Sequence, residues 1–315
     1  MPPVRRGEKS TREAVAAHRA VADRVLDKQV VLPMKYLYAQ EAGKVSRAMR
    51  RAMQGKLKVS SAGRDGYHAL NRALEVQSRR TAARLVQELV HAQRSTTGSS
   101  ADALADYVGR MLGRTTALDN DAVRQKIMYA QRKALEGSQA ENASRMTAGV
   151  HQRLVLRLND EVQKGATVGQ AITAVSEELD NQWWQVERLA RTEASRAFNS
   201  GQVAGVAALS DEVPGILMRW TERVDDFTGK PMDNRVAPDS MEMHGQVVQV
   251  GGLFAMPTLH AAWSSKLFDG KTWEHPPNRP NDRAVVLPWA AQFGVPAYKL
   301  RGGKRVNIAS AGKRL

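Results

Sequence analysis

Five apolar residues, Met146, Val150, Leu154, Leu158 and Val162, each stand four positions after the last. That spacing lays one apolar stripe along an α-helix. Most of the chain before about residue 210 obeys the same period. The segment from Arg12 carries Val15, Ala22, Val25 and Leu26, and Pro33 is expected to interrupt its helix. KYLYAQEAGKVSRAMRRAMQGKL resumes the pattern to Leu57. The segment from Asp65 places Tyr67, Leu70, Leu74, Leu85 and Leu89 at helical spacings. TTGSSAD, near residues 96–102, reads as a loop with a helix cap, and further helices are expected across 103–113 and 119–136. Gly165 is the expected stop of the striped helix. Thr167 and Gln170 then have the spacing of a capping box for a helix carrying Val168, Ile172, Val175 and Leu179. A last helix runs from about Trp183 to Leu209, where the Trp183–Trp184 pair reads as core and partner contact.

After Pro214–Gly215 the period changes. In GILMRWTE, Ile216, Met218 and Trp220 share one face, as in a half-buried strand. DDFTGKPMDN is rich in turn formers. GQVVQVGGLF reads as a second strand. AVVLPW, from Ala284, reads as a third, which sits at an edge or ends at Pro288, because Pro288 has no amide hydrogen. The expected fold is mainly α with a small C-terminal α+β domain: a long helical N-terminal region feeding a loop-rich domain with a few short strands. The expected division is a basic helical arm over 1–164, an α+β domain over 165–290 and a basic flexible tail over 291–315.

Charge is distributed unevenly along this plan. Residues 1–60 hold 14 Lys/Arg against 5 Asp/Glu, whereas residues 137–200 hold 7 against 8. The end of the chain, KLRGGKRVNIASAGKRL, carries Lys299, Arg301, Lys304, Arg305, Lys313 and Arg314 without an acid. Basic ends around a neutral middle suit a polyanion, and nucleic acid is the usual one. The absence of cysteine excludes disulfides, thiolate metal sites and cysteine nucleophiles. No apolar leader or membrane span is legible, so the expectation is a soluble chain made in the cytoplasm, with no membrane partner.

Several residue groups carry potential chemistry. Glu193 lies in an otherwise small and apolar helix face with Val186, Ala190, Ala197, Gly201 and Ala204. A carboxylate there needs a partner, and Arg191 points elsewhere, so the partner must come from another segment. Asp225, Asp226, Asp233, Asp239 and His244 are the candidates for a divalent metal. Their spacing fits neither a calcium loop nor HExxH. Asp225 and Asp226 read better as turn caps, and His244 as a buried, hydrogen-bonded imidazole. In HPPNRPNDR (275–283), Pro276, Pro277 and Pro280 stiffen a loop. Asn278, Asn281 and Asp282 offer Asx turns, and Arg279 and Arg283 offer forks for carboxylates or carbonyls. Nothing there pairs a nucleophile with its base, so the stretch reads as a polar clasp. Lys44, Arg47, Arg50 and Arg51 form a further basic cluster on one helix.

Four segments in order, LARTEASRAFNSG (189–201), MRWTERVDDFTGKPMD (218–233), MHGQVVQVGGLFAMP (243–257) and HPPNRPNDRAVVLPW (275–289), resemble the phage Mu F-like minor head proteins, also called phage head morphogenesis proteins. The resemblance covers roughly residues 165–290. Many members of that family carry cysteines in the D-turn and at the clasp, often as P-N-C-R-C. Here the clasp reads Pro280–Asn281–Asp282–Arg283–Ala284, so it must close by hydrogen bonds and charge pairs rather than by thiolates. The structural clasp expected from these segments comprises Glu193, Asn199, Trp220, Asp225, His244, Pro277, Arg279, Asn281, Asp282 and Arg283.

The resemblance implies a non-catalytic minor capsid component of a tailed phage. It would be made in the host cytoplasm and housed inside the capsid, bound to the portal and to capsid or scaffold proteins. There it would aid assembly or the handling of DNA, and the acid-free tail is expected to touch DNA without regard to sequence, through Lys299, Arg301, Lys304, Arg305, Lys313 and Arg314. No cofactor or metal is expected. The competing readings are a metal-dependent nuclease or peptidase using Asp225, Asp226 and His244, and a nucleic-acid-binding protein with no virion role.

Overall fold

The structure is a computed structural model that describes residues 8–54, 63–116, 118, 120–135, 138–232, 236, 238–256, 271–277, 282–301 and 304–308. The protein is mainly α-helical, with a few short strands toward the C-terminus. Its helices are α1 (Glu8–Arg24), α2 (Leu32–Ala52), α3 (Gly63–Leu112), α4 (Asp121–Leu135), α5 (Ser138–Gln163), α6 (Val168–Asn181), α7 (Trp183–Ala208) and the short α8 (Pro238–Met243). The strands are β1 (Leu217–Thr221), β2 (Val247–Gln249), β3 (Phe254–Ala255), β4 (Thr272–Trp273), β5 (Val285–Trp289), β6 (Ala297–Arg301) and β7 (Lys304–Ile308). Among the described residues, no helix is long and apolar enough to cross a membrane.

The chain forms two compact units, and neither is continuous in sequence. One takes residues 27–92 and 136–193; the other takes 1–26, 93–135 and 194–315. The linear division at 164/165 and 290/291 therefore does not follow the units. The physical reason is visible in the core of the second. Val15 and Ala22 of α1 and Leu104, Tyr107 and Val108 of α3 are buried in one cluster with Trp220, Val286 and Leu287.

Among the described residues, the first unit has helices and no strand. Its α5 stripe buries Val150, Leu154 and Leu158 as the period requires, while Met146 and Val162 at its ends are half-buried. Leu70, Leu74, Leu85 and Leu89 of α3 and Met34, Val45 and Met49 of α2 are buried in the same unit. Gly165 does end the striped helix. Its φ of 70° lies in the left-handed region, which costs little without a Cβ, and the next amide, Ala166, bonds back to Glu161. The capping box also forms: Gln170 N donates to Thr167 Oγ1 at 3.2 Å, and Thr167 N donates to Gln170 Oε1 at 2.8 Å. Trp183 is half-buried with its ring 5.6 Å from that of Tyr38, whereas Trp184 is exposed.

Two helix boundaries differ from expectation. Pro33 does not break the helical path: α1, a π-helical segment (Val25–Val31) and α2 follow one another, and Val31 itself is in the right-handed α region. Proline lacks the amide that an α turn needs, and the wider π turn ahead of it carries the chain past that missing bond. Residues 96–102 are not a loop either, because α3 runs through them. Thr96 and Ser100 are buried there, and the Ser100 hydroxyl donates to the Phe198 carbonyl at 2.7 Å. A hydroxyl with a partner inside the fold no longer competes for the local backbone.

In the second unit, β1 is the middle strand of an antiparallel sheet ordered β2–β1–β5. Leu217 pairs with Gln249 on one side and with Trp289 on the other. All five β1 residues are buried, not alternate ones. Trp220 packs on Phe254 and Trp273. The opposite face, with Arg219 and Thr221, is also closed, because its polar groups pair internally. β5 lies at the sheet edge, the first of the two outcomes that Pro288 allowed, and it runs past Pro288 to Trp289. Gly205 brings α7 against α3: a Cβ at that position would stand 2.1 Å from Leu104 Cδ2.

Candidate functional site

The second half of α7 faces the sheet with polar side chains, and each finds a definite partner. Asn199 is fully buried. Its Nδ2 donates to the Ala284 carbonyl at 3.0 Å, and its Oδ1 accepts from the Val286 amide at 2.8 Å. One side-chain amide thus does for the outer edge of β5 what a neighbouring strand would do. Gln246 repeats the device, donating to the Ala255 carbonyl at 2.7 Å and accepting its amide at 2.8 Å. Gln202 donates to the Ser100 carbonyl at 2.8 Å and accepts from His18 Nε2 at 3.1 Å. The His18 ring sits edge-on to Tyr107 and Phe198, and burial pushes its pKa down to about 4.

Across the sheet, the D-turn and β1 build a buried charge cluster. Arg219 is 2% exposed. Its Nη2 donates to Asp226 Oδ1 at 2.6 Å, its Nη1 to Thr221 Oγ1 at 2.9 Å and its Nε to the Pro296 carbonyl at 3.2 Å. His244 accepts the Glu222 amide on Nδ1 at 3.1 Å. That leaves the ring hydrogen on Nε2, which lies 3.0 Å from Asp226 Oδ1 without an aligned hydrogen bond. Burial alone would raise the Asp226 carboxyl. Arg219 and then His244 more than reverse this, holding it well below the usual carboxylate range. Burial also pushes His244 down to about 4, so the ring is neutral at pH 7. Arg19, on α1, donates to the carbonyls of Glu222 and Val224, and Arg223 pairs with Asp23. Trp220 Nε1 donates to the buried Glu222 carboxylate at 2.9 Å.

These contacts sort the expected site residues. Asp225 caps its turn, accepting the amides of Phe227 at 3.1 Å and Thr228 at 2.7 Å. Asp226 is no turn cap: it lies inside, on Arg219, because a buried guanidinium requires a charge partner. Asp226 and His244 are therefore brought together, while Asp225 is spent on its own turn. Asp233 lies outside the described residues, and Asp239 falls in α8. Among the described residues, no three His, Asp or Glu side chains gather as a metal ion would require.

The clasp is likewise divided. Asp282 is buried and accepts the Ala284 amide at 3.0 Å, the expected Asx turn. His275 donates from Nδ1 to the Pro276 carbonyl at 2.5 Å and meets the Ser200 hydroxyl through Nε2 at 3.0 Å. Pro277 and Arg283 are half-buried, and Arg283 lines a small cleft with Arg19, Asp23, Asn199 and Arg223. Arg279 and Asn281 lie outside the described residues. Glu193 is buried in the helical unit, where Asn142 of α5 donates to it at 3.0 Å, so a partner does come from another segment. Arg191 turns away to Glu187 and Asp27. Sequence reading missed Arg19, Arg219, Gln202 and Gln246. The one local signal was a charged Arg219 between Met218 and Trp220 in a strand that otherwise reads as core.

The tail departs most from expectation. Residues 297–301 and 304–308 form an antiparallel hairpin, not a flexible segment, with Arg301 opposite Lys304. The hairpin is anchored where Tyr298 N bonds to the Gly245 carbonyl and the Tyr298 ring is buried. Arg305 is not free for a ligand. Its guanidinium covers the Tyr298 ring at 4.6 Å and pairs with Glu242 at 2.8 Å. Lys299, Arg301 and Lys304 are exposed. Lys313 and Arg314 lie outside the described residues.

Comparison with family models, with curated proteins and with solved structures found no match.

Proposed function

We propose that the protein is a minor capsid component of a tailed phage, a head morphogenesis protein of the Mu F-like type. In this reading it binds the portal inside the head, acts without catalysis, and touches DNA during assembly, packaging or ejection. One observation carries the reading. From Ala194 onward, the described residues of the four segments that bear the resemblance fall in one unit. β1 lies between β2 and β5, and Asn199 of the helix segment bonds the backbone where the clasp runs into β5. Asn199 and His244 hold backbone of other segments while Asp225 and Asp282 hold their own turns, which is how a structural module spends its polar groups. The metal-dependent nuclease or peptidase is the weaker reading, because Asp225 is occupied by turn amides and Asp226 is neutralised by Arg219.

The test is co-expression with the portal protein of the same phage, followed by gel filtration and mass spectrometry of purified virions. A stable complex with the portal, and a few copies of the chain per virion, are the expected results. A chain that forms no complex and is absent from virions overturns the proposal.

A further inference from the structure

We propose that the outward face of the β6–β7 hairpin is a docking surface for the phosphate backbone of duplex DNA, built from Lys299, Arg301 and Lys304. The inference rests on the DNA contact in the reading above and gives that contact a place. Directly opposed residues of an antiparallel pair share a face, so Lys299, Val306, Arg301 and Lys304 lie together. Tyr298, Leu300, Arg305 and Asn307 lie on the other face. That inner face is fixed to the unit, because the Tyr298 hydroxyl and the Arg305 guanidinium both donate to the Glu242 carbonyl. Ala297 and Ile308, at the base of this face, pack on the core, while the four positions toward the turn are exposed, and among the described residues no acid pairs with the three cations.

The hairpin sorts its charges by role. Arg305 is consumed as a strut, and the three cations opposite are presented on a rigid support. Lys299 and Arg301 stand about 7 Å apart along the strand, and Lys304 faces Arg301 across it. A protein partner would call for an apolar or aromatic anchor at the centre of such a face, and only Val306, 40% exposed, is there. With no aromatic side chain on that face to stack on bases, the contact reads charge rather than sequence.

The experiment measures affinity of the full chain for random duplex DNA across a salt series. In one variant Lys299→Gln, Arg301→Gln and Lys304→Gln are combined, with residues 309–315 left intact. Losing three phosphate contacts should reduce the salt slope by roughly 2.7. Between 50 and 200 mM salt, the intact protein should then lose affinity about 40-fold more than the variant. Lys299→Arg with Lys304→Arg should keep the slope, which separates charge from hairpin stability. Arg47→Gln, Arg50→Gln and Arg51→Gln on α2 should also leave it unchanged. No DNA binding, a slope unchanged in the hairpin variant, or a loss of anionic-vesicle binding with DNA binding retained overturns the proposal. An unchanged slope leaves the head-protein reading standing. A missing portal complex with a hairpin-dependent slope removes that reading and keeps the surface.

Discussion

Asn199 shows how much structure one polar side chain can hold. It satisfies a buried carbonyl and a buried amide that belong to a sheet edge with no further strand. Truncation would leave both backbone groups unpaired, and each buried orphan costs about 1–3 kcal/mol. Asn199→Ala should therefore destabilise the fold by about 2–5 kcal/mol in urea unfolding. Asn199→Asp keeps the acceptor for Val286 but sets a carboxylate against the Ala284 carbonyl, and should be no better. Variants as stable as the parent would show that the edge of β5 does not depend on this amide. The resemblance placed Asn199 in the clasp, but did not tell which backbone groups it holds. Its partners are 85 and 87 residues away, and no local pattern encodes such a distance.

Elements behaved as the sequence foretold where their bonds are local. The α5 stripe, the Gly165 stop, the Thr167–Gln170 box and the Asp225 turn all close within a few residues. They failed where a distant element supplied the partner, as for α3 through residues 96–102 and for the terminal hairpin. The same dependence decides what can be cut from the chain. A fragment of residues 165–315 keeps every strand but loses α1, α4 and the end of α3. Those elements bring Val15, Ala22, Leu104, Tyr107, Val108 and Ile127 to the core around Trp220. The fragment should lack the near-ultraviolet circular dichroism of the intact chain and should expose apolar surface to a reporter dye. A fragment that unfolds cooperatively would mean that the sheet carries its own core.

Over the whole molecule, burial of neutral histidines sets a pH dependence. His18 and His244 are both pushed from 6.5 down to about 4 by burial, and burial lowers His275 as well. All three belong to the unit that contains the sheet. Below pH 6.5 the unfolded chain takes up protons that the folded unit refuses, so stability falls as pH falls. The loss is on the order of 2 kcal/mol by pH 5 for each of His18 and His244, and it levels off once the folded rings titrate near pH 4. Asp226, whose folded pKa is depressed, adds its own loss only below about pH 4. Urea midpoints measured at pH 7 and pH 5 should fall accordingly, and His244→Gln should lessen the drop. Equal midpoints at the two pH values would contradict the buried, neutral assignment.

The sequence by itself determined the helical majority, the change of period near residue 215, and the caps, stops and turns. Those features rest on side chains and backbone groups within one or two turns of each other, and a linear reading sees both partners. The tertiary structure decided which residues share a core, that Asp226 meets Arg219 rather than its own turn, and that Glu193 answers to Asn142. It also decided that, of the cations read as one flexible tail, Arg305 is a strut while Lys299, Arg301 and Lys304 form an open face. A buried polar group announces in sequence that it needs a partner. Which partner it takes depends on what the fold brings within 3 Å of it, and that is settled only when distant elements pack.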